Sequence, residues 1–138
     1  MKTQNLTKED KELIELAKTK QMYARVEKKQ LMADVCSVVK MPDGKIYTGS
    51  SLAIKNSGSG SICGEQSALS NVVNDGEKKI DTIVAVWVSK DYMKNKKWNV
   101  IQPCGACRHT ISHFGNPWVI ISRNKKTKLS ELYPMPVK

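Results

Sequence analysis

No apolar run in this chain of 138 residues approaches the ~20 needed to cross a bilayer, so a membrane-spanning helix is excluded. The Lys- and Glu-rich start also lacks the continuous apolar stretch of a secretory signal, and the expected location is the cytoplasm. No internal repeat is visible, and the length is short for two domains, so one domain over residues 1–138 is expected. What is present is ordinary globular composition: 40% hydrophobic and 26% charged residues supply one core and exclude disorder of the whole chain. The four cysteines, with no export signal beside them, read as thiols or metal ligands rather than disulfides.

The formal net charge of +10 suggests a polyanion partner until it is located. The excess lies in three segments, Met1 to Gln30, Lys90 to Lys97 and Arg123 to Lys128, and the rest of the chain is balanced. Such runs are usually solvated faces and loops, so nucleic acid is not the expected substrate.

Thr7 and Asp10 form a near capping box, and Leu13, Ile14, Leu16 and Ala17 then share one face, which predicts a helix from about Lys8 to Lys20. The β-branched run Asp34 to Lys40 and the short run Lys45 to Thr48 flank Met41-Pro42-Asp43-Gly44 and predict an antiparallel hairpin. Ser50 to Ser61, rich in Ser and Gly, reads as a loop passing close to a site. A helix is expected from Cys63 to the stop at Asn74-Asp75-Gly76, then a strand buried on both faces from Ile80 to Val88. After a lysine-rich loop come a helix from Pro103 to about Phe114, a strand from Trp118 to Ser122 and a short helix from Leu129 to Tyr133. This order predicts an α/β sandwich with a mixed sheet of about five strands and helices packed on its faces.

Two segments carry the chemistry: Cys63-Gly64-Glu65 and Pro103-Cys104-Gly105-Ala106-Cys107, each opening a predicted helix. The exposed amides of a helix start favour a thiolate, which lowers the thiol pKa and prepares it for a metal. Cys63, Cys104 and Cys107 suit Zn2+, and three protein ligands rather than four leave one position for water. Glu65, two residues from a ligand, can reach that water without binding the metal, which is the placement of a proton shuttle.

These paired motifs resemble the Cys-Ala-Glu and Pro-Cys-Gly-x-Cys signature of the cytidine deaminase family, in its three-cysteine, zinc-dependent form. Asp43-Gly44-Lys45-Ile46-Tyr47-Thr48-Gly49 and Glu131-Leu132-Tyr133-Pro134 extend the likeness, so it spans about Asp34 to Pro134. The resemblance implies a hydrolytic deaminase of a cytosine-containing nucleoside, with backbone groups of Gly64 and Gln102 meeting the reacting end of the base. It also implies a homo-oligomer, with a tetramer favoured, and a small-molecule substrate.

The likeness has gaps. The family's ribose-binding Asn and Glu fall at Ser51 and Ala53, and its base-flanking Phe falls at Ala33. The related blasticidin S deaminases also lack the acidic sugar ligand, and their Val-Ala-Ser-Ala-Ala strand resembles Val35-Cys36-Ser37-Val38-Val39, which places Ser37 at the base. A blasticidin S-type aminonucleoside deaminase is the alternative, and a zinc-binding protein of this fold with altered catalysis is a second. Three thiolates on zinc leave a net negative charge, so a cation is expected nearby. Family members commonly carry Arg after the catalytic Glu; here that residue is Gln66, which leaves Arg108 for charge compensation. Cys36 reads as a buried strand thiol, His109 and His113 as surface residues, and Trp87, Trp98 and Trp118 as core or subunit contacts.

Overall fold

The computed structural model describes residues 1–24, 26–27 and 31–135. Four residues of the first basic segment and the last three of the chain lie outside that set. The chain runs β1 (Gln4–Asn5), α1 (Lys8–Ala24), β2 (Val26–Glu27), β3 (Leu31–Ala33), β4 (Val35–Lys40), β5 (Ile46–Ser50), β6 (Leu52–Ile54), β7 (Ser57–Ile62) and α2 (Gly64–Asn74). It continues β8 (Thr82–Val88), α3 (Tyr92–Asn95), β9 (Trp98–Ile101), α4 (Gly105–Ser112), β10 (Trp118–Ile120), β11 (Lys125–Lys128) and α5 (Leu129–Leu132).

Helix α1 starts as its sequence predicts. The Asp10 carboxylate accepts the Thr7 amide at 2.9 Å, and the Thr7 hydroxyl accepts the Asp10 amide at 3.1 Å. Leu13, Ile14, Ala17 and Gln21 recur at helical spacing and are buried, which carries the helix past Lys20 to Ala24. Asp10 is buried as well, and the Lys126 ammonium stands 2.7 Å from its carboxylate.

The main sheet has seven strands in the order β1-β11-β10-β8-β4-β5, with β9 also paired to β8. The expected count of about five is therefore too low. The additional strands are short: β9 follows the lysine-rich loop, and β11 lies in a basic segment whose charges suggest a solvated face. Strand β8 is the axis. Along one edge it pairs antiparallel with β4; on the other it pairs in parallel with β10 at its start and antiparallel with β9 at its end. Its alternate residues face opposite layers. Val84, Val86 and Val88 pack with Leu13, Ile14 and Ala17 of α1, while Ile83 packs with Leu69 and Val72 of α2 and Ile111 of α4. The result is three layers, with α1 on one face and α2 and α4 on the other.

The predicted hairpin is β4 and β5, paired from Cys36↔Ser50 to Lys40↔Ile46. Gly49 in β5 is where α2 comes closest: a Cβ there would lie 2.2 Å from the Ala68 backbone nitrogen. A glycine thus sets how deeply the helix beds on the sheet. The stretch Ser50 to Ser61 departs from expectation. It is no loop but contributes β6 and β7 to a separate four-stranded antiparallel sheet, β2-β3-β6-β7. Backbone pairing, not side-chain patterning, holds its Ser and Gly residues in strands. No described helix is long and apolar enough to cross a membrane.

Candidate active site

Both chemistry-bearing segments start helices. Cys63 is the N-cap of α2, its carbonyl accepting the Ser67 amide at 3.0 Å, and Cys104 is the N-cap of α4, its carbonyl accepting the Arg108 amide at 2.9 Å. Cys107 lies in the first turn of α4. The helix starts converge, so that the sulfurs of Cys63, Cys104 and Cys107 all lie within 4.8 Å of one another. Ligands about 2.3 Å from a common zinc stand roughly 3.8 Å apart in tetrahedral geometry, so the trio fits the ion. Cys36 is buried in β4 and is not part of the cluster.

The helix-start expectation about thiol acidity holds at one position and fails at another. The Cys107 and Ala106 amides hold Cys104 below the ordinary thiol range, against a smaller opposing effect of burial. Burial pushes the Cys63 thiol up instead, and it pushes the almost inaccessible Cys107 up further, with the Glu65 carboxylate adding to the effect. Burial likewise raises the Glu65 carboxyl, which is only 5% exposed. Crowded acidic groups that raise one another are a donor set suited to a dication, whose charge favours the deprotonated form of each.

The cluster opens on a cavity of about 530 Å³. Glu65, Cys63, Cys104 and Cys107 form one part of its wall, and Ser51, Leu52, Ala53 and Ser61 form another. Gly64 and Gln102 are also on the wall. Gly64 lies tight over β4: a Cβ there would come within 3.3 Å of the Val35 carbonyl oxygen and the Ser37 nitrogen. Ser51 also reaches the cavity, with its hydroxyl oxygen accepting the Val35 amide at 3.2 Å.

Ser37 does not line the cavity. It is fully buried, and its hydroxyl donates to the Val84 carbonyl at 2.9 Å. Arg108 also stands behind the wall. Its guanidinium donates to the Pro103 carbonyl at 2.8 Å, the Leu132 carbonyl at 3.2 Å and Gln102 Oε1 at 3.4 Å, bracing the turn that presents Cys104. His113 is exposed, and His109 is half-buried with its ring nitrogen 3.0 Å from the Tyr133 hydroxyl. Trp98 sits beneath Lys18 and Arg123, and Trp118 beneath Lys126 and Lys128, away from the cavity lining. Asp34 and Ile101 line the cavity without having been singled out. For Asp34, the available signal was an acidic residue directly before the Val35-Cys36-Ser37 strand.

The cytidine and deoxycytidylate deaminase zinc-binding region, as a family model, matches residues 7–123. Blasticidin-S deaminase of Bacillus cereus is 31% identical over 139 residues, which cover 98% of this chain and 96% of that protein. A probable cytidine deaminase of Dictyostelium discoideum is 38% identical over 74 residues, 53% of this chain and 44% of that one. Among solved structures, cytidine deaminase from Burkholderia pseudomallei superposes with a TM-score of 0.70 at 23% identity, covering 96% of this chain and all of the other. Cytidine deaminase from Mycobacterium leprae gives 0.69 at 19%, covering 94% and 100%. The fold, the sulfur cluster and a match over most of the sequence agree: the chain belongs to the cytidine and deoxycytidylate deaminase family, as a zinc-binding hydrolytic deaminase that acts on C–N bonds.

Proposed function

We propose that this deaminase acts on the exocyclic amine of a cytosine-type ring in a nucleoside-sized molecule, giving the uracil form and ammonia. The observation that carries the reading is a buried carboxyl, Glu65, on the same cavity wall as three converging cysteine sulfurs. Cys63, Cys104 and Cys107 would hold the zinc, which when bound supplies Lewis acidity to a water in the cavity. Glu65 takes one proton from a water in the cavity and delivers it to the ring nitrogen as the oxygen adds to the amine-bearing carbon. It then takes the remaining proton of that hydroxyl and passes it to the departing amine as the C–N bond breaks. The water oxygen stays in the product as the carbonyl. Burial suits Glu65 to the task, since a raised carboxyl holds a proton between transfers more readily than a solvated one. Gly64 and Gln102 frame the reacting end, Ser51 is assigned to the base and its pendant group, and Arg108 supplies the compensating positive charge, while Ser37, buried with its hydroxyl on the Val84 carbonyl, holds β4 behind the wall.

A second reading, a blasticidin S-type aminonucleoside deaminase, is favoured by the relative that aligns along the whole chain and by Ser51 and Ala53 standing where a sugar-binding Asn and Glu would be. Ammonia release across a panel of cytidine, deoxycytidine and blasticidin S separates the two. Polynucleotide substrates are disfavoured because no Lys, Arg or His among the described residues lines the cavity. We further propose a single domain and a homotetramer, supported by the exposed Met32 and Leu52 on the small sheet and tested by light scattering. A cytoplasmic place in pyrimidine salvage is consistent with thiols that must stay reduced to bind metal.

A further inference from the structure

Among the described residues two carboxylates line the cavity and no basic side chain does, although the chain as a whole is at +10. Glu65 belongs with the sulfurs. Asp34 stands elsewhere on the wall, half-buried between β3 and β4, with its backbone fixed by the Val88 amide, which donates to its carbonyl at 3.1 Å. The Ser51 hydroxyl oxygen accepts the amides of Val35 and Asp34 at 3.2 and 3.4 Å, which directs its own proton toward Asp34 Oδ1 at 3.5 Å. Among the described residues this long contact is the one hydrogen bond to the Asp34 carboxylate, and Asp34 makes no ion pair. Asp10, Asp75 and Asp81 differ, each with a lysine ammonium 2.7, 3.9 and 3.5 Å away.

A half-buried carboxylate held in place by its backbone, with no cation against it among the described residues, is costly to keep unless something else completes it. Its position on the cavity wall makes the substrate the group that can do so. We propose that Asp34 is a specificity residue that receives a hydrogen-bond-donating, preferably cationic, group on the part of the substrate remote from the reacting amine. The same charge turns away substrates carrying a phosphate. This rests on the reading of the cavity as a nucleoside deaminase site and narrows it to neutral or aminated nucleosides over nucleotides. The preference follows from two effects. An ammonium adds the attraction of opposite charges to its hydrogen bond with the carboxylate, which a hydroxyl does not. A phosphate placed beside Asp34 and Glu65 meets like charge, with no lysine or arginine among the described residues of the wall to offset it.

Three cytosine nucleosides differing only at the 5′ position test this: 5′-amino-5′-deoxycytidine, cytidine and cytidine 5′-monophosphate. Dissociation constants by calorimetry and ammonia release are measured on the zinc-loaded protein, on Asp34→Asn and on Asp34→Glu. The wild type is expected to bind the amino compound about tenfold more tightly than cytidine and the monophosphate at least about tenfold more weakly. Asp34→Asn should collapse both ratios to within about threefold, while Asp34→Glu, which keeps the charge, preserves the order. Ratios unchanged in Asp34→Asn, or a monophosphate bound as well as cytidine by the wild type, would overturn the assignment. If the binding order holds but no compound releases ammonia, the assignment stands and the cytosine nucleoside reading is what fails.

Discussion

One wall of the cavity is made of helix starts locked onto the main sheet, and the other of a small sheet whose Met32 and Leu52 are left in solvent. The first wall carries Cys63, Glu65, Cys104 and Cys107. Helices α2 and α4 place these residues, packing through Leu69, Val72 and Ile111 against Ile83 of the central strand. The second carries Ser51, Leu52, Ala53 and Ser61, backed mainly by hydrogen bonds along β6 and β7. Reacting groups must be held to a fraction of an ångström, and a close-packed core provides that. A recognition surface tolerates looser support, and on this thinner wall the family's usual sugar ligands are missing. The same fold can therefore keep its chemistry while changing what it accepts.

The largest expected effect comes from striking the rigid wall at its chemistry. Glu65→Gln removes the group that moves the proton while preserving shape, and should lower turnover by about 10³-fold or more. Zinc content, read by atomic absorption, and the melting temperature should stay near wild type. Cys107→Ser should instead lose both zinc and turnover, because a buried hydroxyl is a poor replacement for a soft sulfur ligand. A Glu65→Gln protein that still turns over at near wild-type rate would remove the shuttle from this wall.

The two walls also differ in how readable they are from the amino-acid order. Cysteines at helix starts with a carboxylate two residues on are legible because metal chemistry fixes both residue type and spacing. Strand β8 is legible because burial on both faces demands an unbroken apolar run. Ser50 to Ser61 is not, since Ser and Gly carry no alternation and their pairing comes from the backbone. Strand β11 was hidden for another reason: Lys126 looks solvated in sequence, and only the fold shows its ammonium buried against Asp10 from a helix more than a hundred residues earlier. Asp34 carries only a weak local signal, an acidic residue at the head of the Val35-Cys36-Ser37 strand. That no described basic residue pairs with it is a fact of three dimensions.

Next in size are two changes in the frame behind the rigid wall. Gly49→Ala places a methyl group 2.2 Å from the backbone nitrogen of Ala68, and backbone cannot swing aside as a side chain could. Displacing the first turns of α2 should cost about 3 kcal/mol or more, a fall of roughly 10 °C in melting temperature for a domain of this size. Zinc affinity should fall with it, since Cys63 caps the same helix. A variant with unchanged stability would show that α2 is not bedded on β5 as described.

Asp10→Asn leaves Lys126 charged and buried without its partner, which should cost about 3 kcal/mol at pH 7 in denaturant unfolding. Burial alone would raise the Asp10 carboxyl, but the Lys126 ammonium and the Thr7 contacts together outweigh it and hold the group below its ordinary value. A depressed carboxyl contributes stability above its unfolded pKa of about 3.9 and loses it as pH falls through the folded value. The gap between wild type and Asp10→Asn should therefore be constant from neutral pH to about 5 and narrow below about 4. A gap that is independent of pH down to 3 would mean that the ion pair is not its source. Turnover should change little at pH 7, because α1 lies across the sheet from the sulfur cluster.

The smallest expected effect is the one that bears most directly on the contrast between the walls. Ser61 joins β6 to β7: its hydroxyl oxygen accepts the Ile54 amide at 3.0 Å and its proton goes to the Ser57 carbonyl at 2.9 Å. Both bonds are exposed, so Ser61→Ala should cost at most about 1 kcal/mol, a shift of a few degrees in melting temperature. Yet Ser61 lines the cavity, and loosening its hairpin frees the wall that includes Leu52 and Ala53. If that wall recognises the substrate without taking part in the chemistry, KM should rise a few-fold while kcat and zinc content hold. A fall in kcat matching the rise in KM would show that the small sheet helps to align the reacting atoms. The two walls would then act as one unit rather than as a fixed catalytic frame beside an exchangeable recognition surface.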